Sequence, residues 1–150
     1  MGITEPLLAT DADCAQIARV HIQPESKTVS ALTTMVSGTA GPEATITYIT
    51  AQLQRSITST YSKYFVIKDT ETGEVISYAN WVLPHSAQDE LEEKSRLAAL
   101  PILYRPEGMN LELRGEFMEK VLNMRETCLA GHKHFSGFLL PFHTIRRADG

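Results

Sequence analysis

The side chains best suited to bind a metal or move a proton are sparse in this 150-residue chain, which holds five histidines and two cysteines. His132-Lys133-His134 sets two imidazoles on alternate positions, so both could chelate a metal from one face of a strand. Zinc ordinarily takes three or four ligands at characteristic spacing, and no cysteine or carboxylate cluster completes the set, so no metal site is expected. His21 ends an apolar run and His85 follows Pro84; with no partner visible in sequence, each reads as a half-buried or surface imidazole. Ser136-Gly137 lacks the flanking glycines and the strand-to-helix turn of a nucleophile elbow. Trp81, the lone tryptophan, reads as a core plate more readily than as a substrate platform. Asn80 and Glu107 are polar residues in candidate loops, each suited either to cap a helix or to contact a substrate. Glu107 is the candidate general base, with a solvated capping carboxylate as the other reading. Cys14 and Cys128 each fall on the apolar face of a helix, where a thiol acts as a small hydrophobe, so two buried thiols are expected rather than a disulfide.

The elements that would position these residues follow from periodicity. Leu7-Leu8 suits a short first strand. Thr10 and Asp13 have the spacing that caps a helix, and Cys14, Ile17, Ala18 and His21 form its apolar face until Pro24. Val29 to Val36 is weakly helical, and residues 37–41 form a flexible connector. Pro42 opens a helix whose stripe is Ile46, Ile49, Leu53 and Ile57, with Gln52, Gln54 and Arg55 turned away. Its many threonines leave it dependent on tertiary packing. Lys63 to Asp69 and Glu74 to Leu83 predict a hairpin closed at Thr70-Glu71-Thr72-Gly73. Ser86 caps an acidic helix that touches the domain through Leu91 and Leu97. Asn110 caps the longest helix, with Leu113, Phe117, Val121, Met124 and Cys128 on one face and Gly131 at its end. Phe135 to Phe142, apolar on both faces, predicts a buried strand. The fold class expected is α/β, a mixed, mostly antiparallel sheet with helices on both faces.

Composition bounds what such a chain can do. Apolar residues make up 43% and charged residues 21%, a balance that supports a packed core and argues against disorder. A length of 150 residues suits a single domain spanning 1–150. Net charge is −4 and the pI is near 5.7, with scattered basic residues, so nucleic acid is not an expected partner. No apolar run reaches membrane-spanning length and the first residues lack the pattern of a secretory leader, so no membrane is expected. The expected location is the cytoplasm, with the nucleus as a second compartment.

Four stretches, taken in order, resemble the GNAT N-acetyltransferases in their fungal form. Ala9 to His21 resembles that family's first strand-to-helix unit, and Phe65-Val66-Ile67-Lys68-Asp69 through Gly73 to Trp81 its second and third strands. Pro106-Glu107-Gly108-Met109-Asn110 with its helix, and His134 to Leu140, resemble the approach to the fourth strand and that strand itself. The resemblance implies acetyl-CoA as cofactor, with direct acetyl transfer to a small-molecule or peptide amine. It also implies that the fourth strand, here Phe138, Leu139 and Leu140, lends backbone groups to the pantetheine arm. Asn80 and Trp81 would then contact the acceptor.

The family's pyrophosphate motif, Q/R-x-x-G-x-G/A, follows this strand, and its backbone N–H groups and helix N-terminus cradle the anion. Here the chain reads His143-Thr144-Ile145-Arg146-Arg147-Ala148-Asp149-Gly150. Arg146, Arg147 and Gly150 are the cofactor-binding positions this alignment leaves, with Ala148 in place of a glycine and Asp149 beside the phosphates. The domain is therefore expected to be incomplete at its C-terminus. The alternative to an active enzyme is a catalytically inactive GNAT-like domain that acts through a protein partner or pairs with itself along strand 135–142. A coding sequence that departs from the family's from near Ser136 is a third account.

Overall fold

A computed structural model describes residues 2–22, 37–129 and 136–139 of the chain. The first strand, β1 (Leu7–Leu8), leads through Thr10 into a turn of 3-10 helix at Asp11–Asp13 and then α1 (Cys14–Ile22). The Asp13 carboxylate accepts hydrogen bonds from the Thr10 N–H at 2.8 Å and the Thr10 hydroxyl at 2.9 Å, which starts the helix where the capping pair predicts it. Asp13 is buried, and it is held there by an ion pair of 2.5 Å to Lys68 on the neighbouring strand. Burial alone would push its carboxyl up; hydrogen bonds from Lys68 and Thr10 outweigh that and hold it below the usual carboxylate range.

The second helix, α2 (Pro42–Ser56), begins with a proline at its first position after Gly41. Its expected stripe faces inward: Leu53 is buried, and Ile46, Ile49 and Ile57 pack against the core. Thr45, Thr47 and Thr50 return their hydroxyls to the carbonyls four residues earlier, which satisfies those groups within the helix. Gln52 and Arg55, expected to face away, instead receive later parts of the chain. Gln52 accepts from the Arg114 guanidinium at 3.0 Å, and Arg55 donates to the Leu97 and Pro101 carbonyls at 2.7 and 2.9 Å. The segment expected to be helical at 29–36 lies outside the described residues.

The hairpin comprises β2 (Ser62–Lys68) and β3 (Val75–Val82), closed by a turn in which Asp69 Oδ1 accepts from the N–H groups of Glu71 and Thr72. Gly73 completes that turn at φ 73°, a conformation that favours glycine. The sheet runs in the order β1-β2-β3-β4, where β4 is Ser136–Leu139. Every pairing is antiparallel, so the mixed sheet expected from the sequence is, within the described residues, a purely antiparallel one. Sequence order alone does not reveal strand direction, and the connection between β3 and β4 is long enough to return the chain either way.

The core lies where α1 and α2 close over one face of the sheet. Ile17, Ala18, Cys14, Leu53, Val66, Val75 and Tyr78 are its buried members. Both helices cover that same face rather than one on each side. Two later helices, α3 (Ala87–Ala98) and α4 (Leu111–Leu129), are capped by Ser86 and Asn110 as the sequence predicts. Their burial differs from expectation. On α4, Phe117 and Cys128 are exposed and Met124 is 62% exposed, while on α3 Leu91 is exposed and Leu97 half-buried. Helical periodicity identifies a stripe, but nothing in it specifies a covering partner. Cys14 alone behaves as the expected buried thiol, with burial and the nearby carboxylates of Asp11 and Asp13 pushing it up to about 11.

Candidate functional site

Of the residues expected to hold cofactor and acceptor, Asn80, Trp81, Phe138 and Leu139 lie together where β3 pairs with β4. Register places Asn80 opposite Phe138, Trp81 opposite Gly137 and Ala79 opposite Leu139. The two acceptor positions and the backbone of the strand assigned to the pantetheine arm are thus cross-strand neighbours. β4 is the last strand of the sheet, so its far backbone edge has no partner strand among the described residues. Leu140, Arg146, Arg147 and Gly150 lie outside the described residues, as do His132, His134, Gly131 and the ends of the predicted 135–142 strand.

Alternation along β3 sends Tyr78 and Asn80 to the face covered by α1 and Ala79 and Trp81 to the other. Trp81 is 41% exposed, which corrects its reading as a core plate: it projects from the face that α1 and α2 leave uncovered. Asn80 is half-buried, and its amide meets the Ser62 hydroxyl at 3.2 Å across the hairpin. That contact fixes the side chain near the start of β2 and leaves its other amide hydrogen for a ligand.

Sequence reasoning missed the polar pair beside Asn80. His21 Nδ1 lies 2.6 Å from the Tyr78 hydroxyl, so the histidine that lacked a visible partner has one two residues from Asn80 on β3. Burial lowers the His21 pKa, with the Arg114 charge adding to the effect, and burial raises that of Tyr78. Both groups are therefore neutral near pH 7, and the His21 tautomer sets which of the two donates. A second chain of contacts runs alongside: the Arg114 guanidinium donates to Gln52, whose amide donates to the Tyr48 hydroxyl at 2.8 Å. Helical spacing placed His21 on the inner face of α1, which was the one signal available. Its partner is 57 residues away and depends on register.

Glu107 stands apart from this junction. It is exposed, on a turn whose next residue, Gly108, is clasped to the segment preceding α2. The Thr39 N–H donates to the Gly108 carbonyl at 3.1 Å, and Gly38 and Gly108 both take positive φ, 57° and 84°. A Cβ on Gly38 would lie 2.2 Å from the Gly108 carbonyl oxygen, so the close approach of the two backbones itself requires glycine at 38. No hydrogen bond or ion pair among the described residues joins Glu107 to Asn80 or Trp81.

His85, also without an evident partner in sequence, is fully engaged by Leu83, Glu90 and Tyr61. Among the described residues there is no group of three or more histidine, cysteine or carboxylate side chains able to hold a metal, and no helix long and apolar enough to cross a membrane. Comparison of the chain with protein-family models, curated proteins and solved structures gave no match in any of the three.

Proposed function

We propose that this chain is a GNAT-like N-acyltransferase domain whose reaction site is the β3–β4 junction. The observation that supports it is the register of Asn80 and Trp81 against Phe138 and Gly137. The edge of β4 that no strand among the described residues pairs offers backbone N–H and C=O groups to an amide-bearing arm, the chemistry of pantetheine. Phe138 and Leu139 would hold that arm through the main chain, with Leu140, Arg146, Arg147 and Gly150 as the further cofactor positions of this reading. Acetyl-CoA, once bound, supplies a thioester carbonyl. The acceptor nitrogen attacks that carbon, the C–S bond breaks, the thiolate leaves, and the amine loses a proton.

In this reading Asn80 holds the acceptor by hydrogen bonding and Trp81 by its exposed ring face. The base role of Glu107 belongs to the same proposal, and Glu107→Gln would lower turnover at saturating amine without weakening cofactor binding. Titration calorimetry of acetyl-CoA into the 150-residue chain tests the reading directly. Saturable binding in the micromolar range supports it, and no heat up to millimolar cofactor removes it.

A second reading has its own observation: β4 forms one end of the sheet, where a strand from another copy fits by main-chain pairing. On this account the domain is a non-catalytic pairing module. Light scattering would then show a dimer that Leu139→Lys weakens, whereas a monomer at high concentration rejects it.

A further inference from the structure

Five polar side chains from α1, α2, β3 and the first turn of α4 are joined in one cluster. Arg114 Nη2 donates to Gln52 Oε1 at 3.0 Å, and Gln52 Nε2 donates to the Tyr48 hydroxyl at 2.8 Å. A further hydrogen bond of 2.6 Å links His21 Nδ1 and the Tyr78 hydroxyl. Arg114 connects the two groups, since its charge is felt at the His21 ring. Tyr48 is 7% exposed and Tyr78 8%, while His21, Gln52 and Arg114 are half-buried.

A guanidinium can only donate, so the Gln52 amide must turn its oxygen to Arg114 and its nitrogen to Tyr48. The Tyr48 hydroxyl is thereby an acceptor, and its own proton meets no acceptor among the described residues. His21 and Tyr78, both neutral, carry one N–H and one O–H between them and spend one of the two on the bond that links them. With Nε2 protonated, Tyr78 donates and the Nε2–H is left over; with Nδ1 protonated, the Tyr78 O–H is left over. Arg114 keeps further N–H groups and has no carboxylate at ion-pair distance among the described residues.

Other half-buried cations of this protein are neutralised: Lys68 by Asp13 and Arg96 by Glu93. Arg114 instead faces a neutral amide and a neutral imidazole, and the protons left over around it all lack an acceptor. A carboxylate supplies both missing features, negative charge and acceptor oxygens. Its two oxygens take paired N–H groups from a guanidinium and keep lone pairs for a phenol or an imidazole N–H. We propose that this cluster binds the carboxylate of a small organic acid, with Arg114 as its charge partner and with Tyr48 and the His21–Tyr78 pair as further donors. Such binding is independent of acyl transfer at the β3–β4 junction.

Titration of acetate into the nitrogen-15-labelled full chain, near neutral pH and at an ionic strength held constant with chloride, tests the site. The Arg114 Nε–H and the His21 signals should shift saturably, with half-saturation at roughly 1–10 mM for so small a ligand. Tyr48→Phe, which keeps the ring and removes only the hydroxyl, should weaken binding about tenfold, and Arg114→Gln should remove saturation. Gln52→Glu supplies the missing carboxylate from within the chain: it should abolish acetate binding and raise the midpoint of thermal unfolding, which separates loss of the site from loss of the fold. Shifts that stay linear up to about 100 mM acetate, or that chloride reproduces, overturn the proposal. Tighter binding of inorganic phosphate than of acetate overturns it as well.

Discussion

Two histidines join secondary-structure elements in this protein, and they meet different kinds of partner. His21 joins α1 to β3 through a hydrogen bond with the Tyr78 hydroxyl and is kept neutral by burial and by Arg114. His85 lies between β3 and α3 and faces two acceptors, the Leu83 carbonyl and the Glu90 carboxylate of α3. The residue type is the same; the partner decides the role. His21 is buried beside a hydroxyl, a group that can donate or accept, whereas His85 faces two oxygens that only accept. The first contact therefore belongs to a packed core that loses stability in acid, and the second to the seam between β3 and α3.

The largest effects should come from the core side of this contrast. Ile17 is 0% exposed at the centre of the α1–β3 contact, so Ile17→Ala should cost about 2–5 kcal/mol in denaturant unfolding, from lost burial and the cavity left behind. A loss below ~1 kcal/mol would mean that α1 is not packed as described. Next, Lys68→Met leaves the buried Asp13 carboxylate without its cation and should cost about 3 kcal/mol, and Asp13→Asn in the same background should restore part of that loss.

Tyr78→Phe removes only the hydroxyl, leaves His21 Nδ1 unpaired in a buried site, and should cost about 1–3 kcal/mol. The pH profile sharpens the comparison. The folded pKa of His21 is lowered from 6.5, so between the folded and unfolded values the unfolded chain binds more protons. That contribution to stability is complete above about pH 6.5 and is lost as the pH falls through the lowered value. His21→Gln should flatten this acid limb of the curve, and an unchanged limb would contradict a neutral His21. Smallest is Glu90→Gln: half exposed, it should cost under about 1 kcal/mol globally and register only in local exchange at the first turn of α3.

Much of the scaffold was legible in local patterns. The Thr10–Asp13 cap, the proline opening α2, the hairpin with its glycine turn and the Ser86 and Asn110 caps all depend on residues within a few positions of one another. So does the stripe of α2, since one face of a helix is a matter of spacing. The exposed face of α4 was not legible, because Leu113, Phe117, Val121, Met124 and Cys128 have the spacing of a buried stripe whatever lies opposite them. The candidate site divides in the same way. Asn80 and Trp81 could be singled out as residue types at the end of a strand, but their alignment with Phe138 and Gly137 depends on the pairing of β3 with β4.

Residue order and spacing thus determined the α/β class, most helix starts and the inward face of α1, because backbone propensity and capping act within one or two turns. Only the folded arrangement decided which side of the sheet is covered, that Trp81 lies outside the core, and that Glu107 sits on a glycine clasp away from the β3–β4 junction. It also decided that His21 meets Tyr78 and stays neutral. A proton's free energy depends on the burial and the partners it meets in space, and those partners are brought together by strand register and helix docking.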